Sequence, residues 1–249
     1  MQMLHQLLLV LHVVCGALAL CVFWGPMLAK KGSAWHIRSG QWYSTLMYLI
    51  CGAGILMCAL VLSAPLVVKA ADLRVGQDPQ VFAERVRLMS GFLLLLCLLA
   101  LMNLRQGLLA LQAGQERLAL RHWSHQALVL ITFGYAIWTL WQAVPRQFVL
   151  GQIFGAIALF SSIGCLRYIH RASVEKSAIL KEHIGNMLAS GIAIFTAFFA
   201  FGGRKVLDLS PELQLASWVL PSVLGIAATL WYNKRYVKAR VALKTAAAR

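Results

Sequence analysis

The sequence predicts an all-α fold, a polytopic transmembrane bundle of seven helical spans with its N-terminus outside and its C-terminus inside. Three observations carry that prediction. Seven apolar stretches divide the 249 residues, at about 4–28, 42–68, 86–111, 123–144, 148–168, 184–203 and 213–232. A helix rises ~1.5 Å per residue, so each stretch can cross a hydrocarbon core of ~30 Å. The composition is 60% apolar and only 12% charged, more hydrophobic surface than a soluble domain of this size can hide. The 23 Lys and Arg also fall unevenly: if loops alternate sides, sixteen lie on one side and seven on the other. The positive-inside rule assigns the sixteen to the cytoplasm. The formal net charge of +15 therefore reads as topology rather than as nucleic-acid binding.

The elements follow in order. The first span lacks a basic n-region and is too long for the apolar core of a secretory signal, so it is expected to remain a helix. Trp35, Trp42 and Tyr43 mark the inner edge of the second span, where amphipathic rings prefer to sit. Residues 69–87 form the longest outer loop, and Asp78-Pro79 within it reads as an N-cap followed by proline at the first helical position. Gly151 and Gly155 make a GxxxG in the fifth span, read as internal close packing. Residues 169–183 form a polar inner connection with Glu175, Lys176, Lys181 and Glu182, suited to an interfacial helix. Ser210-Pro211-Glu212 repeats the capping chemistry before the seventh span, and Pro221 is expected to kink that span. No repeat or linker divides the chain, so residues 1–232 are read as one bundle and 233–249 as a basic cytoplasmic tail resting weakly on anionic lipid. The six cysteines all fall inside spans with no CxxC pair. They read as small apolar side chains rather than disulfides.

Seven histidines carry the chemically interesting pattern. His36, the pair His122 and His125, and His183 stand at the starts of the second, fourth and sixth helices on the inner side, and His170 ends the fifth there. The partial positive charge of a helix N-terminus disfavours imidazolium and keeps the ring neutral and able to ligate. The same rings can equally bond water, lipid phosphate or an open backbone group at a helix end. His5 and His12 share one face of the first helix, and His12 lies deep enough to need an internal partner. Asn103, Arg105 and Gln106 are polar groups within or just under the inner leaflet. Arg105 is either a functional charge or a side chain snorkelling to the interface. All eight acids are placed outside the spans or at their ends, which argues against a carboxylate proton relay.

No phosphate-binding glycine loop or serine-nucleophile motif occurs, no catalytic residue is singled out, and three classes stay open. One is a redox module holding haem b between two of His36, His122, His125, His183 and His12 and exchanging electrons with a quinone. It expects His36, one of His122 or His125, and His183 to converge within ~10 Å, a separation a bis-histidine haem could bridge. The second is a small-molecule or ion permease lined by Asn103, Arg105 and the glutamines. The third is a non-catalytic assembly subunit bound to another membrane protein.

Short motifs recur in a definite order. His12 and Gly16 give His-x-x-x-Gly in the first span; Lys31, Gly32, Ser33, His36, Gly40 and Tyr43 give a Lys-Gly-Ser-x-x-His segment leading into the second; His183, Gly185, Met187 and Leu188 give His-Ile-Gly-x-Met-Leu in the sixth. This order resembles a bacterial family of predicted membrane proteins of unknown function (domain of unknown function 2306 and relatives). That family often has arginine directly after the second histidine, whereas here Ile37 separates His36 from Arg38. The resemblance implies a multi-pass protein of the bacterial inner (plasma) membrane and little about activity.

Overall fold

The computed structural model describes residues 1–203 and 210–238, without the side chains of 202, 203, 211, 212, 215, 237 and 238. Every regular element among them is helical: α1 (Gln2–Leu28), α2 (Ala34–Ser63), α3 (Pro65–Val68), a 3₁₀ turn (Ala70–Asp72), α4 (Pro79–Ala113), α5 (Leu118–Arg121), α6 (Trp123–Ala143), α7 (Val149–His170), α8 (Lys176–Ala197), a π turn (Phe198–Gly203), α9 (Pro211–Tyr232) and a second π turn (Asn233–Lys238). Five helical segments among the described residues are long and apolar enough to cross a membrane: α1, α2, α4, α7, and α8 continued to Phe201. The stretches predicted as the fourth and seventh spans are helical, α6 and α9 of 21 and 22 residues, but are not among those five. Ser124, His125 and Gln126 near one end of α6 and Gln142 near the other shorten its apolar stretch. The predicted outer loop with Arg204, Lys205 and Asp208 and the tail residues 239–249 lie outside the described residues.

The helix boundaries follow local chemistry. Ser33 caps α2, its hydroxyl accepting from the His36 N–H at 3.2 Å, so this helix starts eight residues before the apolar run at 42. The Asp78 carboxylate accepts from the Gln80 and Val81 N–H groups at 2.7 and 3.4 Å, and Pro79 is the first residue of α4, as its sequence predicts. Ser210 caps α9 in the same way. Gly114, with φ +55°, follows the last residue of α4, the left-handed position where a glycine ends a helix without steric cost. The largest departure concerns the connection at 169–183: α8 starts at Lys176 and runs unbroken through 183 into the sixth span. No proline or glycine lies between Lys176 and His183, and Ile179 is buried, so the apolar helical face simply continues.

Two compact units make up the chain: Met1–Leu101 with Leu130–Ile163, and Met102–Val129 with Gly164–Arg249. In the first, α1 packs along α2, with Phe23 edge-on to Tyr43 at 5.5 Å. Phe92 meets Phe148 and Phe154 at 5.3 and 5.8 Å. Gly151 and Gly155 face α6: a Cβ at Gly151 would lie 2.9 Å from Ala143, and one at Gly155 2.9 Å from Leu140. The GxxxG thus serves internal packing. Without a hydrophobic driving force between helices in lipid, such backbone approach is a main source of association. In the second unit α8 packs on α9, where Gly225 makes room for Ile192. There α8 also approaches the C-terminal part of α4, where a Cβ on Gly107 would meet Asn186 and Met187 at 3.2 Å.

Candidate functional site

The second unit holds a polar centre built from three helices. On α4, Asn103 and Gln106 are 4% and 0% exposed; three apart, they share a face. Arg105, on the adjacent face, donates from Nη2 to the Ser124 hydroxyl at 3.2 Å. On α6, His125 is fully buried and its Nε2 lies 2.7 Å from Gln106 Oε1. An amide oxygen can only accept, so Nε2 carries the hydrogen and Nδ1 the lone pair of the neutral ring. The Gln106 amide donates onward to Glu182 Oε1 at 2.7 Å, and Asn186, one turn along α8, donates to the same oxygen at 3.1 Å. The donors run in one direction, from imidazole through amide to carboxylate.

No described Lys or Arg lies within ion-pair distance of that carboxylate; the ion pair found among the described residues is Lys69 with Asp72. Five buried polar atoms in this unit have unused hydrogen-bonding capacity among the described residues: Arg117 Nε, His125 Nδ1, Tyr168 Oη, Thr196 Oγ1 and Asn233 Oδ1. Cys165 and Tyr168 lie three apart on α7 and so share a face. A buried polar group without a partner costs about 1–3 kcal/mol. Such orphans mark places where a proton, a water or a ligand group is expected.

The predicted histidine set separates into different tasks. His36, in the first unit, donates from Nδ1 to the Pro26 carbonyl at 3.0 Å. There it joins Lys31, whose ammonium donates to Pro26 and Met27 at 2.6 and 2.8 Å, so together they satisfy the open carbonyls at the end of α1. Burial lowers the Lys31 ammonium below the ordinary lysine range. His12 donates from Nδ1 to the Ile50 carbonyl at 2.9 Å, the internal partner that its depth demands. His122 is exposed; its Nδ1 accepts from the Ser124 hydroxyl at 2.9 Å and from the Ser124 N–H at 3.4 Å, so it caps α6. His183 donates from Nδ1 to the Gly107 carbonyl at 2.9 Å. His125 and His183 therefore reach neighbouring residues of α4, Gln106 and Gly107. No group of three or more His, Cys, Asp or Glu is placed to hold a metal among the described residues.

The most informative groups are ones the sequence reading passed over. Glu182 was assigned to a polar connection, and Asn186 and Tyr168 drew no functional notice. The available signal was the unbroken helical stretch from Lys176 onward, which puts Glu182 and Asn186 four apart on one face. Arg117 also differs from a simple topology charge. It is 4% exposed, adopts φ 59°, and donates to the carbonyls of Arg171 and Ala172, tying the turn after α4 to the connection before α8.

The chain matches no protein-family model, and no curated protein or solved structure matches it.

Proposed function

We propose that this is a multi-pass permease of the bacterial inner (plasma) membrane that moves a small molecule or ion together with a proton, with Glu182 as the group that binds and releases the proton. One observation carries the reading: a carboxylate on a membrane-length helix, bonded at Oε1 by two neutral amides, with no Lys or Arg in ion-pair range among the described residues. Neutral donors support the ionised state without fixing it, whereas a bound guanidinium would hold the carboxylate ionised throughout. Gln106 orients Glu182 and His125 but does not itself titrate. If the loops alternate across seven spans, the sixteen-to-seven distribution of basic residues supports an N-terminus outside.

A hydrophobic carbodiimide, which attacks protonated carboxyl groups in apolar surroundings, tests the assignment on the full chain in membranes. Peptide mapping should find the adduct on Glu182 first, with Glu182→Gln left unlabelled. Labelling confined to the other seven acids would overturn it.

The redox reading, a haem b module exchanging electrons with a quinone, keeps one supporting observation. His12, His36 and His183 each donate Nδ1–H to a backbone carbonyl, the orientation that metal-bound imidazoles commonly adopt with Nε2 toward the metal. His125 has the opposite arrangement, its Nε2 bonded to Gln106 and its Nδ1 carrying the lone pair. A reduced-minus-oxidised spectrum decides: an alpha band lost in His183→Ala would put this reading first, and protein absorbance alone from haem-replete cells would remove it.

A further inference from the structure

We infer that the groove between the end of α1 and the first turns of α2 binds an anionic phospholipid, its phosphate on Arg38 and its glycerol and upper acyl chain against Trp35 and Trp42. The groove encloses about 470 Å³ and is lined by Val22, Gly25, Trp35, Arg38 and Trp42 among others. Its floor is set by close helix contact, since a Cβ on Gly25 would lie 2.8 Å from that of Ser39. Trp35, Arg38 and Trp42 follow each other at i, i+3 and i+7 and so share one face of α2. Two large rings are left open there, Trp35 65% and Trp42 60% exposed. Indole with its one N–H prefers the headgroup level of a bilayer, and a guanidinium matches a phosphate with paired donors.

Charge selects the lipid. Lys30, Lys31 and Arg38 cluster at this end, and the first acidic residue of the chain is Asp72. Arg38 has no acidic partner among the described residues. A zwitterionic headgroup would bring its own cation against Lys30 and Arg38, whereas a lipid of net negative charge brings none.

The test uses the full-length protein in detergent, offered equal amounts of phosphatidylglycerol and phosphatidylcholine and weighed intact by native mass spectrometry. The wild type should retain phosphatidylglycerol in about five- to tenfold preference, falling as salt rises. Arg38→Gln should abolish the preference and Arg38→Lys should keep part of it. Trp35→Leu with Trp42→Leu should weaken retention of both lipids. Equal retention by the wild type, or an unchanged preference in Arg38→Gln, would overturn the proposal. Displacement of the lipid by an equal concentration of inorganic phosphate would also overturn it, marking a site for a free anion. Should Arg38→Gln fail to fold, the wild-type preference and its salt dependence still decide.

Discussion

In the unit formed by Met1–Leu101 and Leu130–Ile163, the half-buried His12 and His36 and the buried Ser39 and Ser44 end on backbone carbonyls, those of Ile50, Pro26, Trp35 and Gly40. In the other unit His183 and Arg117 also end on carbonyls, but the chain from His125 through Gln106 ends on the Glu182 carboxylate. A carbonyl does not titrate, so a bond that ends there joins helices or steadies a side chain and does nothing more. A carboxylate can change charge, and every donor aimed at it then faces a different acceptor. The first unit is therefore read as scaffold and the second as the part able to change state.

Substitutions that treat the two units alike should have unlike effects. Gln106→Leu removes the middle of the network and leaves both His125 and Glu182 short of a partner, costing about 3 kcal/mol. The thermal midpoint in detergent should fall accordingly, and an unchanged midpoint would mean that the network contributes nothing. In the scaffold unit the sensitive point is steric. A Cβ on Gly54 would stand 2.6 Å from Cys97 Sγ and 3.4 Å from His12 Cε1, so Gly54→Ala should cost about 1–3 kcal/mol by overpacking. Adding Cys97→Ala should recover most of that loss; if it does not, the crowding lies elsewhere. The smallest effect is expected for His36→Leu. Lys31 still donates to the Pro26 carbonyl, and an interhelical hydrogen bond in a membrane protein averages ~0.6 kcal/mol. A loss as large as that of Gln106→Leu would erase the distinction between the units.

The helices were legible because each signal was local. Asp78-Pro79 and Ser210-Pro211 mark helix starts whatever surrounds them, and α1, α2, α4 and α7 announce themselves by length and apolarity. The polar residues of α4 were legible too, since Asn103, Arg105 and Gln106 interrupt an apolar run. Their partners were not. Glu182 stands 76 residues from Gln106, and no spacing rule connects them. An acid before a long apolar run reads as a helix end unless the helix is known to start earlier. The histidines misled for a related reason: sequence places a ring at a helix end, but which carbonyl or amide it meets depends on the neighbouring helix. His122 and His125, three residues apart, show the range, one an exposed cap and the other wholly buried.

Proton movement through liposomes bears most directly on the claim that the second unit is the working part. The purified full chain is reconstituted with a pH-sensitive dye inside, and acidification is followed after an imposed potential, with candidate small molecules and ions added in turn. The wild type should show a proton flux that Glu182→Gln abolishes and that His36→Leu leaves nearly intact. A flux equal in wild type and Glu182→Gln, or lost to the same extent in His36→Leu, would contradict the assignment of Glu182 and the division of labour between the two units.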